Sequence, residues 1–261
     1  MDEHRTTNVP VRRPDSRFIF SKKANDYAAA RPNYPSPLFD TFKAICPPGE
    51  KVIVADIGAG TGLLTQGLLE SGYQVVAVEP NTEMRQAADD RLGGVKGYRS
   101  VDGTAEATSL ASGSINLITV AQAFHWFDVA RARMEFLRVL TARGQVALIS
   151  NERVKTDPLQ RALEEILKER RSITRTTGNL DNAEQFFGGK HERFSWPHTH
   201  VLDEDGLASL VFSRSHIPDR GSKEGGVVEE AVRKIFKQFA VEGRVEIRYQ
   251  TTAIIGRPTK T

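Results

Sequence analysis

The sequence predicts a doubly wound α/β sandwich in one domain, with an N-terminal helical cap and a helical insertion after the fifth strand. Three observations lead there. Short β-branched runs alternate with amphipathic stretches from Val52 to Ser150, the pattern of parallel strands joined by crossover helices. Two of those runs end in an acid, Asp56 and Glu79. Between the two acids lies the glycine turn Gly58-Ala59-Gly60-Thr61-Gly62, which feeds a leucine-spaced helix. Such a turn lets a ligand approach the backbone and meet the free N–H groups of a helix start.

Bulk properties bound the rest. The 261 residues are 39% hydrophobic, enough for one large domain. Lys and Arg number 36 against 33 Asp and Glu, a small excess spread along the chain that gives little reason to expect nucleic acid. Cys46 is the single cysteine, so no intramolecular disulfide or cysteine cluster can form, and no metal is expected. Without an apolar run of about 18 residues, no membrane partner is expected and the chain reads as cytoplasmic.

Residues 1–17 are polar and aperiodic and read as a flexible arm. The cap spans residues 18–48: Ala24, Tyr27 and Ala28 share helical spacing, Arg31-Pro32-Asn33-Tyr34-Pro35 breaks the helix, and a second helix runs from Pro37 to Ala44. The cofactor-binding core is placed at residues 49–151. Its strands are Val52–Asp56, Gln74–Glu79, Gly97–Val101, Ser114–Val120 and Gln145–Ser150. Helices are expected after Gly62, after Pro80-Asn81, and from Asp128 to Leu140, the last closed by Thr141-Ala142-Arg143-Gly144.

Residues 152–193 form the helical insertion, read as a lid over the crevice, with Leu159, Leu163, Ile166 and Leu167 on one face. The basic run Lys168-Glu169-Arg170-Arg171 with Arg175 reads as a solvated helix end in preference to a site for an acidic substrate or RNA. Phe186-Phe187-Gly188-Gly189 reads as a turn with aromatic anchors. In the last part, 194–261, Phe194–Leu202 and Val245–Ile255 are expected to pair as a hairpin, with helices at Leu207–Val211 and Val227–Val241 between them. His191, His198 and His200 lack a third ligand for zinc and are read as structural.

The glycine spacing narrows the ligand. A dinucleotide fingerprint requires its third glycine where Leu63 stands, and a phosphate loop requires Gly-Lys-Ser/Thr where Gly62-Leu63-Leu64 stands. Asp56 repels a phosphate and suits a hydroxyl or an ammonium group. Glu79, at the end of the next strand, can accept from two ribose hydroxyls at once.

The pattern Asp56-x-Gly58-x-Gly60-x-Gly62 resembles motif I of class I S-adenosylmethionine-dependent methyltransferases. Tyr27-x-x-x-Arg31-Pro32-x-Tyr34-Pro35 looks like the N-terminal signature of the small-molecule methyltransferases similar to trans-aconitate methyltransferase. Gln122-Ala123-Phe124-His125-Trp126-Phe127 resembles their segment after strand four. The resemblance covers about Phe18 to Ile255 and implies a seven-stranded, mostly parallel sheet, with S-adenosylmethionine as cofactor and S-adenosylhomocysteine as product.

By that resemblance Arg31 faces the cofactor's methionine carboxylate, and Tyr27 belongs to the cap over the cofactor. Gly58, Ala59, Gly60 and Gly62 line it, and Glu79 with Pro80 holds the ribose. The adenine falls to Asp102, Gly103, Thr104, Ala105 and Glu106, and the strand-four end to Ala121, Gln122 and Ala123. Tyr34, Phe124, His125 and Trp126 face a small-molecule acceptor, with His125 an orienter in preference to a base. A non-catalytic S-adenosylmethionine-binding domain, a dinucleotide-dependent oxidoreductase and an RNA methyltransferase are the alternatives. The last lacks an Asn/Asp-Pro-Pro-Tyr segment after strand four. A monomer or homodimer is expected.

Overall fold

The computed structural model describes residues 31–168, 180–214 and 217–259. Tyr27, the arm, the first part of the cap, and Glu169, Arg170, Arg171 and Arg175 of the basic run lie outside the described residues. The strands are β1 (Ile53–Ile57), β2 (Gln74–Val78), β3 (Tyr98–Val101), β4 (Ile115–Ala121), β5 (Leu140–Arg153), β6 (His191–Leu202) and β7 (Val245–Gly256). The described helices are α1 (Ser36–Ile45), α2 (Leu63–Glu70), α3 (Thr82–Leu92), α4 (Val129–Val139), α5 (Pro158–Lys168), α6 (Ala183–Phe187), α7 (Glu204–Phe212) and α8 (Lys223–Phe239).

One seven-stranded sheet has the order β3-β2-β1-β4-β5-β7-β6. The pairs from β3 through β5 are parallel, whereas β7 runs antiparallel to both β5 and β6. This is the doubly wound sheet the sequence predicts. Its order reverses between β1 and β4, so a crevice opens where their carboxyl ends diverge.

Strand alternation divides the core. Ala55 and Ile57 of β1 pack with Val76, Ile118 and Leu148 and with Phe136 of α4. Val54 faces the other way, onto Leu38 and Phe42 of α1 and Leu64 and Leu68 of α2. Burial on both faces accounts for the nearly unbroken apolar runs. The intervening helices start on local caps: the Asn81 side-chain Oδ1 accepts the Met84 amide at 2.9 Å and the Asp128 carboxylate accepts the Arg131 amide at 3.1 Å.

Two local expectations are corrected. Thr141–Gly144 is not a turn outside the sheet, because β5 begins at Leu140 and runs for 14 residues. The edge of β4 captures this stretch: Leu140 pairs with Ile115 before the register shifts to Leu117 opposite Gln145. Phe186 and Phe187 belong to the short helix α6 instead of a turn, and Gly188 closes that helix in the left-handed region at φ 59°.

The insertion after β5 is one part of a larger helical cap. Leu159, Leu163 and Leu167 of α5 share a core with Leu207 and Val211 of α7, Val228 and Val232 of α8, and Ile247 of β7. Strands β6 and β7 continue beneath these helices after β5 has ended, from the row of Arg153, Tyr249 and His198 to the pair Leu202 and Val245. Among the described residues, no helix is long and apolar enough to cross a membrane and no group of three or more His, Cys, Asp or Glu could hold a metal ion.

Candidate active site

The alternation that buries Val54 also turns Asp56 toward α2. Its carboxylate is 1% exposed, with Oδ2 accepting from the Thr65 hydroxyl at 2.7 Å and Oδ1 from the Thr119 hydroxyl at 2.9 Å. Burial pushes its pKa up to about 6, against the opposing pull of these hydroxyls. Asp56 thus braces β1 to β4 and α2 beneath the glycine loop. Thr65 and Thr119, which sequence reasoning did not single out, are its partners.

Above the brace, Gly58 and Ala59 donate to the Val78 carbonyl at 2.8 and 3.2 Å, and Gly62 donates to the Ala59 carbonyl at 2.9 Å. Gly58, Gly60 and Gly62 take φ values of 70°, 58° and 78°, left-handed conformations that disfavour any side chain. Their surroundings differ. A Cβ on Gly58 would lie 2.6 Å from the Ala123 Cβ and one on Gly62 would lie 2.8 Å from Leu92 Cδ1, while one on Gly60 would meet Met84 Sδ at an ordinary 3.6 Å. Two of the glycines admit neighbouring elements, and Gly60 leaves room above the loop. Thr61 keeps its hydroxyl buried with no hydrogen-bond partner among the described residues.

Glu79 ties this loop to the end of β2. Its Oε2 accepts the Gly60 amide at 2.8 Å and its Oε1 accepts the Asn81 amide at 2.9 Å. Burial raises its pKa, while the two amides and Arg85 pull the other way. Pro80 makes the turn between Glu79 and the cap Asn81. Arg85 donates to the Glu79 carbonyl at 2.6 Å and reaches Asp102 Oδ2 at 3.4 Å.

The Asp102 side chain is 71% exposed. The loop behind it is tightly built, since a Cβ on Gly103 would meet the Thr108 carbonyl at 2.8 Å. Thr104 and Ala107 exchange backbone bonds at 3.1 and 3.2 Å, and Ala105 is buried. Glu106 anchors the loop to α4 by accepting the Asp128 amide at 2.8 Å.

Beyond Ala121, Gln122 adopts φ 59°, an uncommon conformation for a residue with a side chain. Its amide donates to the Ile149 carbonyl at 3.0 Å and its Nε2 to the Asn151 carbonyl at 2.9 Å. Ala123 is held against Gly58. Phe124, expected to face an acceptor, is instead 3% exposed in the core. It packs edge-on against Phe186 at 5.4 Å and Phe127 at 6.2 Å, because the 3₁₀ turn Phe124–Trp126 points its first ring inward. His125 and Trp126 stay half-buried, their rings 5.0 Å apart.

Tyr34 is half-buried against the α1-side core of Leu38, Phe42 and Val54. Arg31 lies within electrostatic range of Arg153 and Arg214, whose pKa values are lowered chiefly by burial and further by this repulsion. The structure therefore gathers Gly58–Gly62, Glu79–Pro80, Asp102–Glu106 and Ala121–Ala123 around the carboxyl ends of the parallel strands. Arg31 it associates with two arginines that sequence reasoning left aside.

Comparison with known proteins agrees with this geometry. Residues 55–148 match the family described as a methyltransferase domain. The chain is 35% identical over 204 residues to an uncharacterized methyltransferase of Mycobacterium tuberculosis, covering 78% of this chain and 79% of that one. A methyltransferase-like protein of Schizosaccharomyces pombe is 29% identical over 244 residues, 90% of this chain and 93% of the relative. In fold, the chain is similar to a protein of Anaeromyxobacter dehalogenans assigned as a type II methyltransferase, with a TM-score of 0.65 at 20% identity, covering 88% of this chain and 99% of that one.

Proposed function

Because the chain belongs to the class I methyltransferase family, we propose that it transfers a methyl group from S-adenosylmethionine to a small-molecule acceptor. The observation that carries the reading is the Glu79 carboxylate seated 2.8 Å from the Gly60 amide, a buried acid beside the one of the three loop glycines that an added Cβ would not crowd. Each carboxylate oxygen holds one N–H and keeps a second lone pair, the acceptor pair that two vicinal ribose hydroxyls need. A triphosphate or pyrophosphate would instead be repelled there. The buried Thr61 hydroxyl also suits a polar ligand at the loop.

On this reading Asp102 accepts the adenine amino hydrogens, and the backbone from Gly103 to Glu106 meets the ring. Pro80 and the backbone of Ala121, Gln122 and Ala123 flank the adenosyl group, while Arg31 takes the methionine end. When bound, S-adenosylmethionine supplies an electrophilic methyl carbon on a sulfonium. The protein's task is to hold donor and acceptor in line and to exclude water. Tyr34, Trp126 and His125 form the acceptor side, and His125 orients an O–H or N–H and can take up its proton. Asp56 acts at one remove, by fixing the loop.

Thermal unfolding with S-adenosylhomocysteine, S-adenosylmethionine, NADH and no ligand tests the proposal. A ligand at about 100 times its Kd adds about 2.7 kcal/mol. Stabilisation by the two adenosyl-sulfur ligands, lost in Glu79→Ala, is the expected result; stabilisation by NADH alone would refute it.

A further inference from the structure

Helix α5 carries an amide that the fold leaves unmatched. Gln160 is 2% exposed, and neither its amide oxygen nor its amide nitrogen has a hydrogen-bond partner among the described residues. Its backbone is settled, since the Gln160 N–H donates to Asp157 Oδ1 at 3.2 Å. Burying both halves of a side-chain amide without partners costs more than burying an apolar side chain of the same shape, and a group from outside the chain that matches both halves removes that cost.

Helix α5 packs against the strand row Arg153, Tyr249 and His198, which are directly opposed across β5, β7 and β6 and so share one face of the sheet. Tyr249 belongs to the same buried cluster as Leu159 and Leu163, which flank Gln160 along the helix. Glu164, one turn after Gln160 on the same helix face, stands 3.6 Å from Arg153 and gives it a counter-charge. His198, its ring 6.5 Å from that of Tyr249, buries Nε2 without a hydrogen-bond partner among the described residues. Burial, and after it the adjacent His200, lowers the His198 pKa, which favours a neutral ring.

The row leads from the crevice. Asn151 precedes Arg153 on the same face of β5. Its carbonyl accepts Gln122 Nε2 at 2.9 Å, and its Oδ1 accepts the Thr251 hydroxyl at 2.7 Å. This strand face is therefore held in place from the turn that carries His125 and Trp126 to the row beneath α5.

The unmatched atoms select the chemistry. Gln160 offers an acceptor and a donor side by side, so its complement is an N–H beside a C=O. A carboxylate or a phosphate brings acceptors only and would leave the Gln160 oxygen without a donor. We propose that Gln160 and His198 bind a primary carboxamide of the methyl acceptor. One N–H and the C=O of that group pair reciprocally with the Gln160 amide, and its second N–H donates to His198 Nε2. The proposal rests on the methyltransferase reading and names the substrate class for that site.

The test is thermal unfolding of the full chain saturated with S-adenosylhomocysteine, with benzamide, N-methylbenzamide or benzoate added. At about ten times its Kd benzamide should raise the midpoint by about 3–6 °C. N-methylbenzamide, whose trans amide sets a methyl group where the pairing requires N–H, and benzoate should give no such rise. Gln160→Leu is expected to keep the S-adenosylhomocysteine response, lose the benzamide response and unfold at a higher temperature without ligands. His198→Phe should keep the first response and weaken benzamide binding about three- to tenfold, the loss of one hydrogen bond. A benzamide response that survives Gln160→Leu, an equal response to N-methylbenzamide or benzoate, or none in the wild type while S-adenosylhomocysteine still binds, overturns the inference. Failure of S-adenosylhomocysteine to bind would count against the methyltransferase reading itself.

Discussion

Gly58 and Ala123 stand so close that a Cβ on the glycine would lie 2.6 Å from that of the alanine, which locks the loop after β1 to the turn after β4. Gly58→Ala must both adopt φ 70° and displace the β4 turn. It is expected to lose about 2–4 kcal/mol of stability. Gly60→Ala meets no such neighbour and should lose about 1 kcal/mol, yet bind S-adenosylhomocysteine at least about tenfold more weakly, because the added methyl occupies the space above the loop. Urea unfolding and calorimetric titration of the two variants separate these outcomes.

Glu79→Gln keeps an acceptor for one backbone amide and removes the charge. Its unfolding midpoint should stay close to that of the wild type, because the burial penalty on the carboxylate disappears with the bonds it supported. Affinity for S-adenosylhomocysteine should fall about 10–100-fold, the loss of one to two charge-assisted hydrogen bonds. An unchanged Kd would remove Glu79 from the ribose site.

Acid dependence should reveal Asp56. Its folded pKa of about 6 lies above the ordinary 3.8, so the folded state binds the proton more tightly than the unfolded one. Stability therefore falls as pH rises from about 4 to about 6, by up to about 3 kcal/mol from this group. Glu79, raised by burial as well, contributes with the same sign. Asp56→Asn should match or exceed the wild type at pH 7.5 and show a flatter profile across that window in denaturant titrations.

Glu135 behaves in the opposite way. It accepts from the Thr108 amide at 2.8 Å and from Arg138 at 2.7 Å, and Arg138 foremost holds its pKa down to about 2 from 4.5. Its stabilising effect is complete above the unfolded value and disappears as pH falls toward 2. Glu135→Gln is expected to lose about 1–2 kcal/mol near neutral pH and to converge with the wild type in acid. Because Thr108 closes the loop that begins at Asp102, amide exchange there should quicken in the variant.

The sheet was legible because its strands are buried on both faces. Runs such as Val75-Val76-Ala77-Val78 carry the signal locally, and the acids at their ends mark where the runs meet the crevice. Leu140–Gly144 was not legible: Thr141, Ala142 and Arg143 have no apolar alternation, and only the edge of β4 makes them strand. Asp56 could be read as an acid beside a ligand loop, but its hydroxyl partners come from α2 and from β4, 63 residues away. The inward turn of Phe124 depends on Phe186, contributed by a segment far along the chain. Arg31, Arg153 and Arg214 are spread so widely in sequence that no charge run announces them, unlike the compact run near Arg170.

The hairpin of β6 and β7 projects past the end of β5, and α5, α7 and α8 close over the projection with a core of their own. The pairs from Thr199 and Arg248 to Leu202 and Val245 thus form a cantilever whose buried apolar cluster shares no side chain with the clusters beneath the glycine loop among the described residues. Substitutions there are therefore expected to be felt first by the core of α5, α7 and α8, with little effect on the glycine loop. In mechanical terms the overhang is a separately supported outwork, held by the hairpin and its own apolar core.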